Sequence, residues 1–509
     1  MKMQALHRRH ASTLVISLVV VACIGVSIAA SFQSLVPKYR GTHQGIVWQE
    51  TLHGADAGVE LALNTLNTWT KSHPNPDAFP WTSNSWTHTD STNYSVNGER
   101  TLAAASLPVI GGPNNVRVTK IAVDIYTREG TGTAPNYNPW FRIRSSARAD
   151  LPGKYVSSDS RDVELRRMKL SAKTATGAAD PHVIRTVEVV ARPRYRSRRA
   201  ITSVNDVILG HSTGWEVDSF DSQDTLKSSP GTTAGGIYPG TSSSKVQTNG
   251  NVASAKQNPA SSPYGPLIAA NGALVRGEVK TNGGDDPATT AHENVSGTSR
   301  IDQSRILSDF NEEIQPPTAP TWTTTTYSGT LPASFVTGTK ASPTRYNLTG
   351  NLGTFAVTAP SAGTTGYINI IVNGNLSTGS GSGAGITIPP NVYASIWVRG
   401  NVDFSNASIN STSTSSRVAS RLSVYGVSTS STATYVASGN CVQILTFDGP
   451  NYSATLNGTV ETTGSFVVKN FSISGGGTGG FHFDEELGRT APIEGWDVAS
   501  YFEDSRGDL

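Results

Sequence analysis

ASTLVISLVVVACIGVSIAASFQSLVP, residues 11–37, holds no charged side chain, and Lys2, Arg8 and Arg9 stand just before it. About 20 apolar residues in a helix cross the roughly 30 Å hydrocarbon layer of a bilayer, and Leu14–Ala30 meets that requirement. A basic flank before the run, with a far less basic one after it, predicts a cytoplasmic N-terminus and export of the rest of the chain. The sequence therefore reads as a single-pass cell-membrane protein that meets the bilayer through residues 14–30 and carries its bulk in the periplasm or on the cell surface. A cleaved signal peptide shares the basic and apolar regions, although Ser31–Val36 offers no clean small-x-small cut. Lipidation at Cys23 after Val20, Val21 and Ala22 is the other rival, and the apolar run continues well past it.

Beyond Pro37, Gly41 and Gly45, apolar residues recur at Trp48, Leu52, Ala55, Val59, Ala62, Leu66 and Trp69. Those steps of four and three predict a three-heptad helical stripe. Gly54 and Gly58 leave a smooth strip beside it. That strip suits either the packing of an amphipathic helix on its own domain or the approach of a helix from another subunit.

The leader, the apolar helix and the helical GADAGVELALNTLN (Gly54–Asn67) resemble PilX-type minor pilins of type IV pilus systems. Ala55, Asp56, Ala57, Gly58, Val59, Glu60, Ala62 and Leu63 supply the pattern, with Asp where Glu is commoner. The resemblance implies a leader cut after Ala11 or a retained helix, and contacts with other pilin-like subunits through the 48–69 helix. Ile16 occupies the place of the Glu that major pilins carry five residues into the mature chain, which implies a minor rather than a polymer-forming component.

Fifty glycines, 15% charged residues and 36% hydrophobic residues in 509 point to a β-rich exported protein of several domains. Cys23 and Cys441 are too remote in the sequence plan to form a disulfide. The net charge of +2 hides an asymmetry, because residues 101–200 hold eighteen Lys or Arg against eight Asp or Glu. Arg192, Arg194, Arg196, Arg198 and Arg199 alternate there. Such a row is compatible with DNA or anionic lipid, and equally with a β-edge whose charges discourage pairing. No nucleic-acid motif accompanies it, and no nucleic-acid partner is expected.

Period-2 alternation at Val116–Ile125, Phe141–Ile143 and Val183–Val190 predicts a half-buried antiparallel sheet. Further on, an apolar-x-Gly-x-apolar unit recurs around Gly277, Gly350, Gly374, Gly400 and Gly458, with Gly426 a partial match. From Gly350 the steps are 24, 26, 26 and 32 residues, a quasi-period expected of stacked coils with glycine corners. The fold class is thus mainly β, with an N-terminal transmembrane or pilin-like helix, a small α+β segment and a parallel β-solenoid. The boundaries read as residues 1–70, 71–210 and 211–495, with a polar tail at 496–509.

Candidate sites are sparse. Asp218, Asp221 and Asp224 could supply oxygens to Ca²⁺, but no EF-hand spacing completes them and Asx-turns explain them as well. Asn282–Asn294 is a similar polar loop. His482, Asp484 and Glu485 lie in FHFDEEL, which resembles the motif closing the solenoid tails of PilX-like proteins, and are compatible with one site or with a terminal cap that stops end-on stacking. A carbohydrate-active β-helix needs clustered carboxylates, and between 341 and 480 there are only Asp403, Asp448 and Glu461. Arg506-Gly507-Asp508 is an RGD tripeptide in the tail. No residue is assigned a catalytic, cofactor or metal role. The reading is a non-catalytic structural or adhesive envelope component, in pilus-like assembly or tip decoration. A stand-alone anchored adhesin with a glycan or protein ligand is the alternative, and a carbohydrate-active enzyme the more distant one.

Overall fold

The computed structural model describes residues 3–72, 86–88, 100–111, 114–129, 138–150, 182–210, 214–231, 235–257, 267–282, 295–322, 325–332, 334–340, 342–379, 384–475, 477, 479–490 and 493–504. The RGD tripeptide and residues 283–294 of the second polar loop lie outside these. The described residues of 1–131, 138–193 and 494–509 form one compact unit, and those of 194–493 another.

The first unit is a helix laid on an antiparallel sheet. One helix runs from Met3 to Ser72, through Pro37 and the glycines that follow. Ser17–Leu35 has a mean hydropathy of 2.1 and no buried residue, so it is long and apolar enough to act as a membrane anchor or signal. The second half is amphipathic, with Val47, Ala55, Val59, Ala62 and Leu66 buried. Their period is the ordinary helical one rather than a heptad, which leaves Trp48 at the edge of the stripe and 48% exposed.

The glycine strip beside them is occupied by the chain's own sheet. A Cβ on Gly58 would stand 2.1 Å from Ser145 Oγ, and one on Gly54 2.8 Å from Val116 Cγ1. The strip is therefore a docking face of this domain and not a seat for another subunit's helix. Under it run the predicted strands, observed as Val116–Glu129, Asn138–Asp150 and His182–Tyr195, in register at Val123, Ile143 and Val189. The 496–509 stretch is not simply a polar tail, because Ile493–Asp504 forms the edge strand of the same sheet. Its Trp496 is buried, donating from Nε1 to Thr70 Oγ1 at 3.0 Å and packing on Phe141.

The second unit is a three-faced parallel solenoid, and its coils do not stack in chain order. On one face the inward column runs Ile306, Val279, Val252, Ile201, Phe466, Phe447, Val424, Ile396, Ile370, Tyr346 and Tyr327. The chain enters at Ile201, in the middle of the stack. It builds a lower pass outward to Ile306, returns to the far end, and builds an upper pass from Tyr327 back to Asp484. The last coil then closes on the first. Residues 201–208, placed before the solenoid by sequence, belong to this sheet.

The link between the passes is a strap along the outside. Phe310 N–H donates to Thr281 O, Glu312 pairs with Arg198 and Arg199, Gln315 O accepts from Arg196, and Trp322 meets Trp397 edge-on. Three of the five arginines read as a basic patch are thus spent on the interior economy of the fold. Arg196 also donates to Asp448 Oδ1 at 2.8 Å, and Arg199 lies over the Phe310 ring. Burial would raise the Glu312 pKa, but the hydrogen bonds and charges of Arg199 and Arg198 outweigh it and hold it down at about 2.

Glycine corners stack as the repeat predicts. A Cβ on Gly374 would come within 2.8 Å of the Gly350 carbonyl carbon, and one on Gly400 within 2.6 Å of Gly374 O. The asparagine after each glycine adds a ladder, Asn351 Oδ1 accepting from Asn375 N–H and Asn375 Oδ1 from Asn401 N–H, each at 2.8 Å. Gly426 is the exception, a strand residue lying under the Tyr452 ring.

Candidate functional site

The seam between the last coil and the first gathers the ionisable residues that sequence left scattered. Trp215–Phe220 of the first coil pairs in parallel with Gly479–Asp484 of the last, setting His482 opposite Asp218. The glycines make room for this, because a Cβ on Gly480 would meet the His482 ring at 2.4 Å and one on Gly479 the Trp215 ring at 2.9 Å. FHFDEEL is therefore an interior closure, with a strand on each side, and not a terminal cap.

His482 is wholly enclosed. Its Nδ1–H donates to Asp218 Oδ1 at 2.7 Å and its Nε2–H to Glu461 Oε2 at 2.9 Å. Tyr238 stacks on the imidazole with centroids 3.5 Å apart and donates its hydroxyl to Asp218 Oδ2. Burial would lower the His482 pKa, but the two carboxylates outweigh it and raise it to about 9. At neutral pH the ring is an imidazolium with both protons committed, a clamp rather than a general base.

A second cluster lies beside it. Asp484 is fully buried, accepts from Ser222 N–H at 3.0 Å, and its Oδ2 has no hydrogen-bond partner among the described residues. Burial first, then the charge of Glu486, pushes its pKa up to about 7. Glu486 accepts from Ser222 Oγ, Glu485 from Ser219 Oγ and Asn249, and Arg489 binds both oxygens of Asp221.

The three aspartates read as a calcium loop go to separate tasks. Asp218 holds His482, Asp221 holds Arg489 and accepts from Gln223 N–H, and Asp224 caps its own turn by accepting from Leu226 N–H. Among the described residues no group of three or more His, Cys, Asp or Glu side chains is arranged to hold a metal ion. Asp403, Asp448 and Glu461 are not brought together either, being engaged by Ser405, Arg196 and His482 respectively. Cys441 is buried and its thiol is pushed up to about 12 by that burial, which leaves it unreactive.

Sequence alternation did place His482 and Asp484 near each other. It had no signal for Ser222 or Arg489 as partners of Asp484, Glu486 and Asp221, because those contacts depend on a last coil stacked on the first, and Glu461 is picked out in the sequence without its partner His482.

Fold and seam together define a helix-bearing, mainly β protein whose ionisable cluster closes a parallel solenoid. Residues 356–490 match the family described as Domain of unknown function (DUF7305). No curated protein matches the chain. Among solved structures, the competence-associated pilin ComZ from Thermus thermophilus is similar at 12% identity over 90% of this chain and 97% of that one, with a TM-score of 0.22.

Proposed function

We propose that this protein is a non-catalytic structural component of the bacterial cell envelope, held in the membrane by its N-terminal helix and acting in type IV pilus-like assembly or tip decoration. The observation that carries the reading is the helix itself. Its first half is apolar with no buried residue over Ser17–Leu35, while its second half is fixed to a domain of the same chain. A free apolar half on a rigid stem is what a subunit needs if it must sit in a bilayer and then pack among other helices.

Because Gly54 and Gly58 are taken by the sheet, contacts with other pilin-like subunits fall to the apolar half and to the outward face around Ile46 and Trp48. The cytoplasmic position of Met1–Arg9, export of the bulk and the PilX-type assignment are parts of the same proposal. The non-catalytic reading is supported by His482, whose two ring nitrogens are both held by carboxylates. The test is fractionation with protease. The protein should resist extraction from membranes by alkaline carbonate, and protease added outside spheroplasts should remove the solenoid. Protection of the solenoid, or release of the chain by carbonate, would contradict the reading.

A further inference from the structure

The solenoid is assembled from two passes that meet without a short covalent link. Across the seam, Phe466–Val468 pairs with Ile201–Ser203, Phe471 with Val207, and Gly479–Asp484 with Trp215–Phe220. The His482–Asp218 and Arg489–Asp221 contacts cross it too. Every one of these joins the upper pass to the lower. The family match, residues 356–490, covers most of the upper pass and includes none of the lower coils.

The strap decides whether the two passes of one chain can meet. From Phe310, bonded to Thr281 O on the Ile306 side, to Thr326, bonded to Arg345 O on the Tyr327 side, it crosses ten inter-strand steps. At about 4.8 Å each that is roughly 48 Å. An extended proline-type chain of that length in sequence reaches about 50 Å, and Pro316, Pro317 and Pro320 stiffen this one. Closure within one chain is allowed with only about 2 Å to spare.

We infer that the seam is an exchangeable interface, on which the upper pass of a second copy of this chain closes in place of the chain's own, giving a strap-swapped dimer. The swapped seam makes the same strand pairs and sets His482 of one copy against Asp218 of the other. The swap carries Ile493–Asp504 with the upper pass onto the partner's sheet, and strap reach and concentration then choose between the two closures. Such a dimer would present two solenoids and two apolar helices as one body.

The test is a full-length protein lacking Gln315–Thr321, purified in detergent. The nine chain steps left between the anchors reach about 32 Å at full extension, short of the gap. Sedimentation should show a change from monomer to dimer, with amide exchange at Trp215–Phe220 and Gly479–Asp484 as slow as in the parent. A monomer overturns the inference, whether its seam is protected or open. A second arm guards against misfolding of the deletion. A protease site placed between Thr318 and Ala319 is cut in the folded chain, and tagged and untagged cut proteins are mixed. Upper passes should trade partners between copies, and pieces that never exchange would overturn the inference as well.

Discussion

His482 and Asp218 stand 264 residues apart in the chain and 2.7 Å apart in space. That contact joins the last coil of the solenoid to the first, so the pH response of the fold is concentrated there. The His482 pKa is raised above that of a free histidine, so its contribution is complete below about 6.5 and is lost as pH rises through about 9. Asp484 is raised to about 7 and acts in the same direction, favouring the fold less as it ionises. Glu312 works oppositely, its contribution being present above about 4.5 and lost as pH falls toward 2. Melting temperature should therefore be highest near pH 4, where Glu312 is ionised and Asp484 still protonated in the folded chain, and fall on both sides. The alkaline fall should shrink in His482→Gln, and an unchanged alkaline limb in that variant would disprove the clamp.

Gly374→Val should destabilise the solenoid by about 1–3 kcal/mol, because the new side chain meets the Gly350 backbone in the coil beside it. Gly350→Val is the control, since a Cβ there has nothing within 4 Å. Denaturant midpoints of the two variants should differ, and equal midpoints would remove the stacked-corner account.

Glu312→Gln should loosen the strap by leaving Arg198 and Arg199 without their carboxylate. The cost is about 1–3 kcal/mol, as for hydrogen bonds to a charged group. Limited proteolysis near Pro316–Pro320 should become faster, and unaltered cleavage would show that the arginines do not anchor the strap.

Much of this fold was legible in the sequence, for a physical reason. Alternation at Val116–Ile125 and Val183–Val190, and the glycine spacing at 350, 374 and 400, are local patterns fixed by strand pleat and coil corner. Coil order is not local. Nothing near Ile201 says that its neighbours will be Phe466 on one side and Val252 on the other, so the closing role of FHFDEEL could not be read from that stretch alone. The arginine row likewise looked like a surface patch because its partners, Glu312 and Asp448, lie more than a hundred residues away.

Gly58→Leu should detach the second half of the helix from its sheet, since even a Cβ there would sit 2.1 Å from Ser145 Oγ. Overpacking of this kind costs about 1–3 kcal/mol or more. Faster amide exchange in Asn138–Asp150 is the expected readout. An Asp at Val59, which is 5% exposed against the same sheet, would damage the domain itself and says nothing about subunit contacts.

The most direct test of the central claim exchanges the apolar half of the helix. Leu14–Ala30 is replaced by a generic Leu/Ala span of equal length, which preserves membrane insertion but not specific packing between helices. The account predicts that the parent protein is recovered with sheared surface filaments, while the exchanged protein stays in the membrane fraction. Should the parent never accompany sheared filaments, or the exchanged helix serve as well as the native one, the protein is a simple anchored adhesin and the assembly role is wrong.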